Sequence, residues 1–255
     1  MKIFSGKKVF YLLPLALWLL GQVYVLLNPR LFFVALALGS LLIVLSTKGL
    51  ATKSRYLDWP LFVYFPLIFF AASSLYETLI PNMYWVQALL LLNSGFIYIY
   101  FKNLYYFFRY EAPDRIDRLD TFLMAGSVLS VFFLAAASYG LPVFLGWGYW
   151  PLLGFFTLLT FPLFFQPFIL GSLNLKINWP FFLTAILLFT QAAGVVYLFP
   201  FGFNILGLLT AIIFYILFLI LRLFIRGRFS RQIIRFPLIS SLIIVIILLL
   251  TTRWF

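Results

Sequence analysis

The stretch WPLFVYFPLIFFAASSLYETLIPNMYWVQALLLLNSGFIYIYFKNLYYFFR, Trp59 to Arg109, decides the fold. It reads as two apolar runs, 59–79 and 84–101, joined at Ile80-Pro81-Asn82. Each run is close to the ~20 residues that, at ~1.5 Å of rise per residue, cross the ~30 Å hydrocarbon core of a bilayer. Trp59 belongs at the headgroup level and Pro60 suits a first helical turn, so Trp-Pro marks where the chain enters lipid. A tyrosine-rich segment ending in Arg109 marks where it leaves. The pattern is a transmembrane helical hairpin. It holds Glu77, the one carboxylate inside an expected span.

The rest of the chain has the same character. Of its 255 residues, 65% are hydrophobic, 22% aromatic and only 9% charged, where a soluble domain carries about 25% charged residues. That much polar surface cannot cover a globule in water, so the solvent is lipid. The apolar runs are long and continuous, unlike the alternating segments of about 10 residues in a membrane barrel. Only helices and closed barrels satisfy backbone polar groups in hydrocarbon. The expectation is therefore an all-α, polytopic transmembrane helical bundle forming a single integral membrane domain over 1–255.

Cysteine and histidine are both absent. That excludes disulfides, Cys or His metal sites, haem ligation through either residue, and a histidine general base. Proton chemistry is left to Asp, Glu, Tyr and Lys. No nucleotide loop or nucleophile elbow is present, and no cofactor is expected. The net charge of +12 is read as membrane topology. Nucleic acid is not an expected partner, since no soluble module exists to carry it.

The apolar runs give about nine spans: 9–27, 31–46, 59–79, 84–101, 121–139, 152–171, 180–199, 204–225 and 237–251. The first follows a basic start, but it is long for a signal peptide and lacks a small-residue cleavage site, so it is expected to span. The second is short for the bilayer, about 16 residues or roughly 24 Å, and a polar loop from Thr47 to Asp58 is expected after it. The uncharged connection from Gly140 to Pro151 is expected in the interface. Pro162 and Pro167 are expected to kink the sixth span.

The basic residues test this count. If the ends alternate from a cytoplasmic N-terminus, the inside ends carry Lys2, Lys7, Lys8, Lys48, Lys53, Arg55, Lys102, Arg109, Arg115, Arg118, Lys176, Arg222, Arg226, Arg228, Arg231 and Arg235. The outside ends carry Arg30 and Arg253. Sixteen of the 18 basic residues then lie inside. One missed or invented helix would scramble that split, so the positive-inside rule places the N-terminus in the cytoplasm and the C-terminus outside a cell (plasma) membrane.

A second hairpin echoes the first. Trp179-Pro180-Phe181-Phe182 resembles Trp59-Pro60-Leu61-Phe62, and Leu187, Phe189 and Ala192 follow at the offsets of Leu67, Phe69 and Ala72. This allows two parallel four-helix repeats, 1–110 and 120–228, plus a ninth helix over 236–252. Chance is the competing explanation, because a sequence made of Leu, Phe, Ile and Ala matches itself easily.

Three places can carry function. Glu77 is the first, with Ser73 and Ser74 three and four residues earlier on the same helical face, able to hydrogen-bond it. A carboxylate at membrane depth is a candidate cation or proton site. The competing reading is that Glu77, a few residues from the turn, reaches the headgroups. The second is Glu111-Ala112-Pro113-Asp114-Arg115-Ile116-Asp117-Arg118-Leu119-Asp120. Its aspartates are spaced to share one helical face. It loosely resembles the aspartate-rich loops of membrane prenyltransferases, which implies Asp114 and Asp117 as catalytic residues holding Mg²⁺ against a lipid diphosphate. The structural alternative is a salt-bridged helix begun by Pro113, with Asp120 capping the fifth span. The third is the basic series Arg222, Arg226, Arg228, Arg231 and Arg235, suited to anionic lipid headgroups at the cytoplasmic face. Gln22, Gln87, Asn93, Gln166 and Gln191 are expected as interhelical hydrogen-bond links, and Gly126 with Ser130 as a close-packing face.

Taken together, the residues favour a non-catalytic lipid-handling or transport protein, or the membrane subunit of an envelope complex with a membrane-protein partner. The alternative is a transferase acting on a lipid diphosphate.

Overall fold

The computed structural model describes residues 8–51, 59–110, 113–146, 148–165, 175–225, 227 and 231–251. Nine α-helices occur among them: α1 Val9–Gln22, α2 Phe32–Ala51, α3 Leu61–Glu77, α4 Met83–Tyr110, α5 Pro113–Leu145, α6 Tyr149–Thr160, α7 Leu175–Tyr197, α8 Phe203–Ile225 and α9 Arg231–Thr251. No strand occurs among the described residues. Seven helical stretches are long and apolar enough to cross a membrane: Val9–Leu27, Pro29–Ala51, Met83–Arg109, Ile116–Pro142, Trp179–Tyr197, Phe203–Ile225 and Ile234–Thr251. Leu61–Glu77 and Leu153–Phe165 are shorter apolar helices.

The chain forms two compact units, Met1–Ser127 and Val128–Phe255. The division falls inside α5 and not in a loop. In the first unit α1 packs on α4 and α2, and α3 packs on α2 and α4. Phe65, Phe69, Tyr100 and Phe101 are fully buried there. Phe96 stacks on Phe69 at 4.5 Å and on Phe122 at 4.3 Å. Gly126 lets the rings of Phe65 and Phe96 lie against the α5 backbone, since a Cβ there would stand 2.3 Å from Phe65 Cζ. The Tyr100 hydroxyl donates to the Phe62 carbonyl at 2.5 Å, fixing α4 to the first turn of α3.

In the second unit α8 packs on α7 and α9, and α6 packs on α7. Phe164, Phe182, Phe189, Phe214 and Phe218 are buried, with Phe164 edge-on to Phe214 at 4.8 Å. Gly207 lies against the backbone of Ala136, where a Cβ would stand 2.9 Å from the Ala136 nitrogen. Helix α9 keeps Leu242, Ile243, Ile247 and Leu250 exposed, as lipid-facing residues are in a helix that packs along one side only.

Several helices extend beyond their apolar runs, whereas α3, Leu61–Glu77, falls short of its run. The second span is not short, because α2 continues through Ala51 and a 3₁₀ turn, Pro29–Leu31, precedes it. The Thr47 hydroxyl donates to the Ile43 carbonyl, so a polar residue stays inside the helix where a loop was expected. Helix α4 runs on to Tyr110, and α5 begins at Pro113 as one continuous helix. Asp120 is therefore mid-helix and buried, not an N-cap. The expected interfacial connection is helical up to Leu145 and again from Tyr149. Gly146, at φ 63, makes the break and donates its N–H to the Pro142 carbonyl, a left-handed helix end that glycine reaches without strain. Helix α6 tightens into a 3₁₀ turn at Phe161–Phe165, around Pro162; Pro167 lies outside the described residues. Pro60 stands just before α3, whereas Pro180 sits inside α7, whose start at Leu175 precedes the Trp-Pro pair.

Candidate functional site

Glu77 is the last residue of α3, and local chemistry places it there. The Thr78 and Leu79 N–H groups turn back to the Leu75 and Tyr76 carbonyls, three residues away. This tightens and ends the helix. Pro81 prevents its continuation, and Asn82 Oδ1 accepts from the Tyr84 N–H at 2.9 Å to start α4. Across from it, α1 widens into a π-helical turn, Val23–Leu27, closed by Asn28 N–H to the Val23 carbonyl. Such a turn inserts an extra residue and shifts the register of its side chains. It carries Tyr24.

The side chains meet in the interior of the first unit. Glu77 is 2% exposed, so the headgroup reading of this residue does not describe it. Tyr24 donates its hydroxyl to Glu77 Oε2. Ser73 donates to the Phe70 carbonyl at 3.1 Å and accepts from Asn93 Nδ2 at 2.7 Å. Asn93 lies close enough to the Glu77 carboxyl to interact with it, and Ser74 does the same with the Tyr24 hydroxyl. Tyr24, Ser73, Ser74 and Asn93 are all buried. Two acceptor oxygens are left without a donor, Glu77 Oε1 and Asn93 Oδ1. Nearby, Gln22 and Gln87 bond each other reciprocally at 2.6 and 3.0 Å, linking α1 to α4.

An isolated carboxylate in a low-dielectric interior costs several kcal/mol unless paired, protonated or bound to a cation. Glu77, Ser73 and Ser74 are the residues expected here from the sequence; Gln22, Gln87 and Asn93 form the expected interhelical links, and Tyr24 is not among the expected residues. The available signal was a lone hydroxyl in the aliphatic second half of the first span.

The other candidates are dispersed. Asp117 is exposed while Asp120 is buried, so these two do not present one open acidic face. The Asp114 side chain and Glu111 lie outside the described residues. Among the described residues no three carboxylates come together. Arg235 is exposed and Arg222 half-buried; Arg226, Arg228 and the Arg231 side chain lie outside the described residues, as does Gln166. Gln191 is exposed. In the second unit an apolar groove of about 540 Å³ opens between Trp150, Leu153, Leu158 and Phe161. Thr157 and Thr190 face each other there at 3.3 Å.

Fold and composition define a multi-pass, all-α membrane protein. No family model, curated protein or solved structure matches the chain.

Proposed function

We propose that the protein is a membrane transporter for an apolar or lipid-like substrate, with Glu77 as its coupling carboxylate. It would lie in the plasma membrane with nine spans, the N-terminus cytoplasmic and the C-terminus outside. The observation that carries this reading is the buried Glu77 carboxyl with one tyrosine donor and a free Oε1. Buried intramembrane acids mark ion and proton pathways. The apolar groove beside Trp150 is of a size to hold a small ligand or part of an acyl chain. The basic residues Arg222 to Arg235 would hold anionic lipid headgroups at the cytoplasmic face.

The test is electrical. Protein in phosphatidylcholine–phosphatidylglycerol vesicles is adsorbed on a solid support and exposed to concentration jumps of lipid phosphates, short-chain lipids and apolar solutes. The wild type is expected to give a transient current with at least one of them, and Glu77→Gln to abolish it. A wild-type current that Glu77→Gln retains would overturn the assignment.

A further inference from the structure

The hydrogen bonds around Glu77 point to the coupling ion. The one Tyr24 proton goes to Oε2. The one Ser73 proton goes to the Phe70 carbonyl, and a Ser73 lone pair takes the Asn93 amide. Neither Glu77 Oε1 nor Asn93 Oδ1 has a hydrogen-bond partner among the described residues. Both belong to residues at least nine-tenths buried, and the two side chains lie within interaction range. Two acceptors left bare in one buried cluster are each unfavourable.

We propose that Glu77 is a reversible protonation site whose neutral form donates Oε1–H to Oδ1 of Asn93. The proposal rests on the transport reading and specifies its coupling ion as H⁺. The step balances simply: a proton from water adds to the carboxylate, its charge goes from −1 to 0, and the same proton leaves from Oε1 when the site reopens. One proton satisfies both bare acceptors at once. A metal cation fits less well, since hard cations take about six oxygen ligands and, among the described side chains of this cluster, only Glu77 Oε1 and Asn93 Oδ1 lack a partner.

The side chains that meet the carboxyl among the described residues are uncharged. Tyr24 faces it from the first span, and Tyr76 precedes it on α3. Helix α4 offers Asn93 and Gln87, with Tyr84 exposed at its start. The only charged residue of α2 is Lys48, in its last turn. Arg30 is exposed in the 3₁₀ turn before α2. No ion pair to Glu77 occurs among the described residues.

Infrared difference spectroscopy tests this on the full chain in the same vesicles, stepping pH. The wild type is expected to show a carboxylic C=O band that grows on acidification. Glu77→Gln removes the band, and Asn93→Leu moves it to higher frequency by freeing the O–H. Replacing sodium by choline leaves it unchanged. Absence of a Glu77 band at every pH, or its suppression by sodium, overturns the proposal. The two readings fail separately. A substrate current lost in Glu77→Gln without any carboxyl band defeats the proton and keeps the transporter. A band with a current that survives Glu77→Gln keeps the protonation site and defeats the coupling role.

Discussion

The two Trp-Pro hairpins differ most where they are expected to match. At the common offset of 120 residues (179 minus 59), Phe62 and Phe69 correspond to Phe182 and Phe189, and all four are buried. The polar positions diverge. Ser73, Ser74 and Glu77 correspond to Ala193, Gly194 and Tyr197. Each unit nonetheless uses a tyrosine from its leading helix to reach this end of its third. Tyr139 donates to the Ala193 carbonyl at 2.9 Å and meets Thr210 Oγ1 at 2.9 Å, while Thr210 donates on to the Leu206 carbonyl. That cluster is neutral and leaves none of its side-chain oxygens bare. Tyr24 instead meets an acid, and two acceptors stay open. A closed neutral cluster holds helices together. An open one containing a carboxyl is what the proposed coupling site requires.

The contrast can be broken most severely by charge. Glu77→Lys buries an ammonium with no anion beside it, at a cost of about 3 kcal/mol or more, and no monodisperse protein is expected on size-exclusion chromatography. Tyr197→Lys is expected to yield folded protein, because Tyr197 is only half-buried at the helix end and a lysine there reaches the interface. Equal loss from both would remove the distinction between the two sites.

The tyrosines give the next effect. Tyr24→Phe takes the hydroxyl donor from a buried carboxyl and is expected to cost about 1–3 kcal/mol. Tyr139→Phe breaks bonds among neutral groups, with Thr210 still bonded to Leu206, and is expected to cost about 1 kcal/mol. Thermal unfolding in detergent ranks the two, and a larger loss from Tyr139→Phe would reverse the assignment of which cluster depends on its tyrosine for a buried ionisable group.

Why the sequence disclosed some of this and not the rest follows from what hydrophobic runs measure. They record apolar character, so each of the seven long apolar helices falls on an expected run. They do not record backbone continuity. Lys102 to Arg109 and Asp114 to Asp120 are charged but helical, and Asp120 lost its capping role when α5 proved continuous. Glu77 was legible because a carboxyl in an apolar run is conspicuous. Its partners were not, since Tyr24 and Asn93 lie 53 and 20 residues from their partners in sequence. Only packing brings them together, and the π turn that carries Tyr24 has no signature in the run Val23–Leu27.

The smallest expected effect is at the aspartate helix. Asp114→Asn with Asp117→Asn is expected to change stability by no more than about 0.5 kcal/mol and to leave the substrate current intact. Loss of current with unchanged folding would restore the transferase-like site and move the centre of function away from Glu77.

Thermal unfolding of Glu77→Gln against Tyr139→Phe in lipid vesicles tests the central claim most directly. Glutamine keeps the shape of the neutral acid and offers an N–H to Asn93 Oδ1. The account predicts that Glu77→Gln melts at or above the wild type while Tyr139→Phe melts below it. A Glu77→Gln protein that melts well below the wild type, with Tyr139→Phe unaffected, would contradict it, because the acid would then be the structural link and the neutral cluster dispensable.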